Sequence, residues 1–314
     1  MPTWCLPGSR QRAEPMTRVV RRYVDGLHGQ MHVRLARPAS ASAAPLMCIH
    51  MSPMTGRIFE PLLAAMGTDR IAVAFDTPGF GMSDAPAAPP TIEDYARDLL
   101  AGLDALGISE PVDLMGYHTG SMIAVALARM SPDRVRRLLI VSAPIFPDDE
   151  RQQFHDHYRH REPEADGSHI LRRWKSFLYH HLRPGVTVAE VNRAFPDALL
   201  GGETEWWGHR AAFDYEFAAD LAHVGHPVLI LNTGDDLDQQ TRRAEGVAAR
   251  SMILEVPGWG HGFVEQHTAD VETVARSFFD AAAGAEFETI AAPASAKGPR
   301  YPERIGSFPP PGNT

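Results

Sequence analysis

The chain has 314 residues, of which 44% are hydrophobic, enough for one large α/β domain or two small ones, and no apolar run reaches the roughly 20 residues that cross a bilayer. Its formal net charge is −9, with acids and bases interspersed, which disfavours nucleic acid because a phosphate backbone selects a positive stripe. With two cysteines, Cys5 and Cys48, and no apolar leader in its first residues, the chain points away from a disulfide framework and from export, toward the cytoplasm.

Residues 1–15 read as a flexible extension. Two strand patterns around residues 22–25 and 31–35 flank Gly26 and Gly29, which predicts an antiparallel hairpin. Residues 45–50 form a short apolar run of the buried-strand type, and helical spacing follows over 58–66. A second buried strand spans 71–75 and ends at Asp76, and residues 91–106 predict a helix with Thr91 as its N-cap. Strands at 111–115, 135–141, 227–231 and 251–256, with helices at 121–130 and 264–283, complete the alternation. This order implies a mostly parallel central sheet covered by helices on both faces.

Residues 145–221 break the rhythm. Four helical patterns, at 148–160, 170–181, 187–195 and 206–220, predict a helical cap inserted over the strand ends. The core is then residues 16–144 and 222–283, and the Pro-, Ala- and Gly-rich stretch 284–314 reads as a flexible tail.

The most informative stretch is Gly116-Tyr117-His118-Thr119-Gly120, where a strand ends and a helix begins. Small residues two positions either side of a central residue are the mark of a nucleophile elbow, because the tight turn leaves no room for a Cβ. Only the register centred on His118 puts small residues at both tight positions. Three further strand ends carry polar loops: His50-Met51-Ser52-Pro53, Thr233-Gly234-Asp235-Asp236-Leu237-Asp238, and Pro257-Gly258-Trp259-Gly260-His261-Gly262.

With elbow, acid and histidine in this order, the chain resembles the α/β-hydrolase superfamily over about residues 20–283. The resemblance implies a catalytic set of His118, Asp236 and His261, with Asp235 and Asp238 as alternative acids. It also implies an oxyanion hole from the backbone N–H groups of Thr119 and Ser52. Two departures stand out: Met51 follows His50 where the family has glycine, and histidine sits where serine, aspartate or cysteine is usual.

Trp206 and Trp207 are candidate substrate-binding residues under the cap, while His50 reads as a loop-bonding structural residue. The cap histidines His155, His157, His160, His169, His180 and His181 are scattered over several helices and read as a solvated face. No cofactor is expected. A metal held by His118, His261 and Asp236 is the lesser reading, since the fold normally places these groups to hydrogen-bond. The expected partner is a small molecule, with no nucleic acid or membrane, and the oligomeric state is not legible. The activity expected is ester, lactone or carbon–carbon bond hydrolysis of a small, partly apolar carbonyl compound. The alternatives are a cofactor-free lyase, cyclase or dehydratase with His118 as base, or a ligand-binding pseudoenzyme.

Overall fold

The computed structural model describes residues 17–183 and 185–298. The expected N-terminal extension and the end of the expected tail, residues 299–314, lie outside them. The hairpin forms as β1 (Val20–Gly26) and β2 (Gly29–Ala36), with Val20 opposite Leu35. β1 lies at the sheet edge, and Arg21 and Arg22 project from it exposed, which discourages pairing with another chain.

The chain continues through β3 (Leu46–Ile49), α1 (Glu60–Met66), β4 (Ala72–Phe75), α2 (Ile92–Ala105) and β5 (Val112–Tyr117). α3 (Thr119–Met130) and β6 (Val135–Val141) follow. The eight strands run in the order β1-β2-β4-β3-β5-β6, then β7 (Val228–Asn232) and β8 (Ser251–Glu255). From β4 to β8 every pairing is parallel, so these strands end along one edge of the sheet.

The inner strands are apolar throughout because both faces are covered. Alternate residues serve different cores: Met47 and Ile49 of β3 face one cluster, Leu46 and Cys48 the other. α2 starts where the sequence indicates, since Thr91 Oγ1 accepts from Asp94 N–H at 3.2 Å and Asp94 Oδ2 accepts from Thr91 N–H at 3.0 Å. Thr91→Ala is expected to cost about 1 kcal/mol, read as a lower midpoint in urea with an unchanged slope.

Between β6 and β7 lies a helical insertion: α4 (Asp148–His157), α5 (Ser168–His181), α6 (Val188–Leu199), α7 (Trp207–Asp214) and α8 (Phe217–Ala222). α4 packs on α7 and α5 on α6, while α7 and α8 rest on α3. The single helix expected over 206–220 is two, because Tyr215 is extended (φ −94°, ψ 133°) and its hydroxyl donates to Asp220 Oδ2 at 2.7 Å. α9 (Asp238–Arg242), which the sequence pattern does not reveal, joins β7 to β8.

The last helix divides at His267 into α10 (Phe263–Gln266) and α11 (Thr268–Phe279). A larger correction concerns the expected flexible tail, of which residues 284–298 are packed. Ala296 is buried, Phe287 and Ile290 lie against the core, and Trp259 Nε1 donates to Ser295 Oγ at 3.1 Å. A few apolar side chains, the Trp259–Ser295 bond and the Gly258 N–H bond to the Ala296 carbonyl pack a stretch whose composition alone reads as mobile.

Candidate active site

The turn from β5 into α3 sets the site. An added Cβ on Gly116 would overlap the Gly120 carbonyl, and one on Gly120 would overlap the Ile49 carbonyl oxygen. Between them His118 adopts φ 48° and ψ −110°, which lifts its side chain over the strand ends. Among the described residues His118 and Ser142 are the two non-glycines with positive φ. Such backbone costs of order 1–3 kcal/mol and persists only where its surroundings hold it.

Both strained residues bond the same oxygen. His118 Nε2–H donates to Asp235 Oδ2 at 2.8 Å, and the Ser142 hydroxyl donates to it at 2.7 Å. Thr233 Oγ1 adds a third bond at 2.8 Å, and Leu237 N–H reaches Asp235 Oδ1 at 2.9 Å. Asp235 therefore ties the ends of β5, β6 and β7 to the elbow imidazole.

A second pair stands beside the first. His261 Nε2–H donates to Asp236 Oδ1 at 2.6 Å, and the Tyr117 hydroxyl lies 3.4 Å from His261 Nδ1. Asp236 is thus the partner of His261, as the family resemblance implies. Asp235 belongs to His118, which sequence order did not reveal, and Asp238 instead opens α9 and pairs with Arg242. The rings of His118 and His261 meet edge to face with centroids 5.1 Å apart.

Charge in the cluster is strongly biased. Burial pushes the His118 pKa down, but the Asp235 charge and hydrogen bond outweigh it, and the net shift is upward. Burial likewise opposes ionisation of Asp235, yet the His118 charge and hydrogen bond bring its pKa down to about 2. Asp236 is held well below the carboxylate range against its burial by the charges of His261 and His180 and the His261 hydrogen bond.

The histidines of the insertion correct the solvated-face expectation. His180 Nδ1 lies 3.7 Å from Asp236 Oδ2, and the ring of His181 sits 5.0 Å from that of His261. Burial, followed by the His261 charge, depresses the His181 pKa strongly. His209, stacked on Tyr158 with centroids 4.1 Å apart, is pushed down to about 3 by burial and then by the His118 charge. His155 and His160 do stay half-exposed, paired with Asp214 and Glu162. Sequence spacing could not separate the two groups, because the inward histidines come from different helices.

The two candidate tryptophans stand at the start of α7. Trp206 lies against His160 and under Arg210, whose guanidinium carbon is 5.7 Å from the ring, and Trp207 packs over the Gly79 loop. His50 braces the loop after β3: Nδ1–H donates to Met51 O at 3.0 Å and Nε2 accepts Thr77 N–H at 2.9 Å. That loop carries Ser52, and Thr119 is the first residue of α3. A cavity of about 20 Å³, bounded by Asp235, Asp236, His180, Arg183 and His261 among others, adjoins the pairs.

Comparison with known proteins agrees with this architecture. A family model described as alpha/beta hydrolase fold matches residues 44–197. A putative carbamate hydrolase RutD from Azorhizobium caulinodans is 33% identical over 213 residues, covering 65% of this chain and 79% of that protein. A 2-hydroxymuconate semialdehyde hydrolase from a Pseudomonas species is 40% identical over 111 residues, 33% of this chain and 38% of that protein. The enol-lactonase structure from Burkholderia xenovorans superposes with a TM-score of 0.65 at 19% identity, over 83% of this chain and all of that one (100%).

Proposed function

The chain belongs to the α/β-hydrolase family, and from that premise we propose that it hydrolyses a small, partly apolar carbonyl compound by direct attack of water. Carbonyl-centred hydrolysis fits the names of its relatives, a carbamate hydrolase and a semialdehyde hydrolase. In this reading the insertion is a cap over the site, from which His180 comes within 3.7 Å of Asp236.

One observation carries the departure from a covalent mechanism. The elbow side chain is an imidazole whose Nε2 is committed to Asp235 at 2.8 Å, so no hydroxyl or free carboxylate stands where an acyl group would attach. His261 adds to this, because its Nε2 faces Asp236 and its Nδ1 faces Tyr117, leaving it unable to relay a proton from the elbow. The work left to the four side chains is to hold and activate a water. Thr119 and Ser52 N–H groups would receive the developing oxyanion.

The test is a panel of short p-nitrophenyl esters and small lactones, followed by acid quench and intact-protein mass measurement during turnover. Hydrolysis with no protein-bound acyl species, and no lasting adduct from a fluorophosphonate, is the expected result. An acyl or phosphonyl adduct on His118 or any serine would overturn direct attack, and failure of every carbonyl substrate would overturn hydrolysis. A second reading, elimination or cyclisation with His118 as base, draws on the same Asp235 hydrogen bond. It gives product free of solvent oxygen, which turnover in heavy-oxygen water detects.

A further inference from the structure

The sequence offers two imidazoles and one carboxylate at the strand ends, and the structure adds a second carboxylate, Asp235. One donor atom from each of His118, Asp235, Asp236 and His261 lies within 4.8 Å of the other three. Within the pairs the separations are 2.8 and 2.6 Å. Four donors at about 2.1 Å from a tetrahedral ion stand about 3.4 Å apart, so shifts of under about 1 Å convert the cluster into a coordination shell.

We propose that His118, Asp235, Asp236 and His261 bind one divalent first-row transition-metal ion of the zinc type. The proposal rests on the reading that this cluster activates water, and it names the agent.

Donor chemistry favours such an ion. Two imidazole nitrogens and two carboxylate oxygens, with no sulfur, suit zinc, cobalt or manganese better than a soft ion. Oxygens of two successive carboxylates lie within 4.8 Å of each other and of both imidazoles, and a dication among them would offset the repulsion between the two negative charges. The outer contacts are those that ligating groups carry. Ser142, Thr233 and Leu237 N–H hold Asp235, while the Tyr117 hydroxyl faces the far nitrogen of His261.

Room for a water ligand is also present. The cavity beside Asp235, Asp236 and His261 has a volume of about 20 Å³, sufficient for one molecule. His180, 3.7 Å from Asp236 Oδ2, stands ready to bond it or to orient Asp236. An ion held there would lower the pKa of its bound water and supply the nucleophile that the elbow lacks.

The test uses the untagged full chain, freed of metal by chelator dialysis and titrated calorimetrically with zinc chloride. Cobalt chloride titrations read the visible absorption of a low-coordinate complex. The expected result is saturation at about one equivalent, with intense cobalt bands. His118→Ala and Asp236→Asn should each weaken zinc binding at least about 100-fold, and Tyr117→Phe about tenfold. His155→Ala, at the half-exposed pair with Asp214, should leave binding unchanged; circular dichroism checks that each variant is folded. No saturable binding by the wild type, or unchanged affinity in both ligand variants, would overturn the site. Zinc binding without any carbonyl hydrolysis would sink the hydrolytic reading alone and leave the site standing. Hydrolysis at full rate in metal-free protein would remove the ion from the reaction and leave the hydrolytic reading intact.

Discussion

His118→Ala is expected to lower kcat on whichever carbonyl substrate is turned over by at least about 100-fold, with little change in KM. Asp235→Asn should fall with it, since the carboxylate oxygen that orients the elbow imidazole at 2.8 Å is replaced or turned away. The two losses should not add, because both variants remove one working unit. The informative comparison is His118→Ser. In a serine hydrolase this restores the nucleophile, whereas here His261 has one ring nitrogen on Asp236 and the other toward Tyr117. The serine variant is therefore expected to stay as slow as the alanine variant and to resist fluorophosphonates. A fast, labelled serine variant would show that His261 can act as the proton carrier of an ordinary triad.

The second large effect is on folding. Gly120→Ala is expected to destabilise the chain by more than about 4 kcal/mol, because its Cβ would overlap the backbone carbonyl of Ile49 and β3 cannot retreat from a sheet paired on both sides. Soluble yield and a urea midpoint measure it. Gly107→Ala is the contrast: nothing lies within 4 Å of its added Cβ, and only the positive φ of 72° resists substitution. A Gly120→Ala protein as stable as the Gly107→Ala protein would mean that the elbow is not packed against β3 as described.

Much of this architecture is legible in the residues. The apolar runs that become β3 to β8 announce a sheet buried on both faces, and Thr91 with Asp94 announces the start of α2. The elbow is legible because its glycines answer a local steric demand that any reader of the chain can apply. His261 follows from chain order, while for its acid partner chain order points to Asp236 and leaves Asp235 and Asp238 open. What escapes is whatever depends on side chains meeting across the fold. Asp235 gains its role from Ser142 and His118, which lie 93 and 117 residues away. The inward histidines of α5 and α7 look no different in sequence from His155 and His160, and only the way the helices pack separates them. Breaks at Tyr215 and His267 are equally silent, since neither position carries the proline or glycine that announces a helix end.

The loop that carries His261 is held from behind by residues far from any chemistry. Gly258 N–H donates to the Ala296 carbonyl at 2.9 Å and Trp259 to Ser295, while Gly260 N–H reaches the Thr233 carbonyl at 2.8 Å. The histidine loop is thus clasped between the acid loop on one side and the chain's own C-terminal stretch on the other. A protease cut or a frameshift beyond α11 would spare every strand and every catalytic candidate, yet it would release the clasp. The placing of His261 therefore depends on a run of alanine, serine and proline that no inspection of the strand ends would single out.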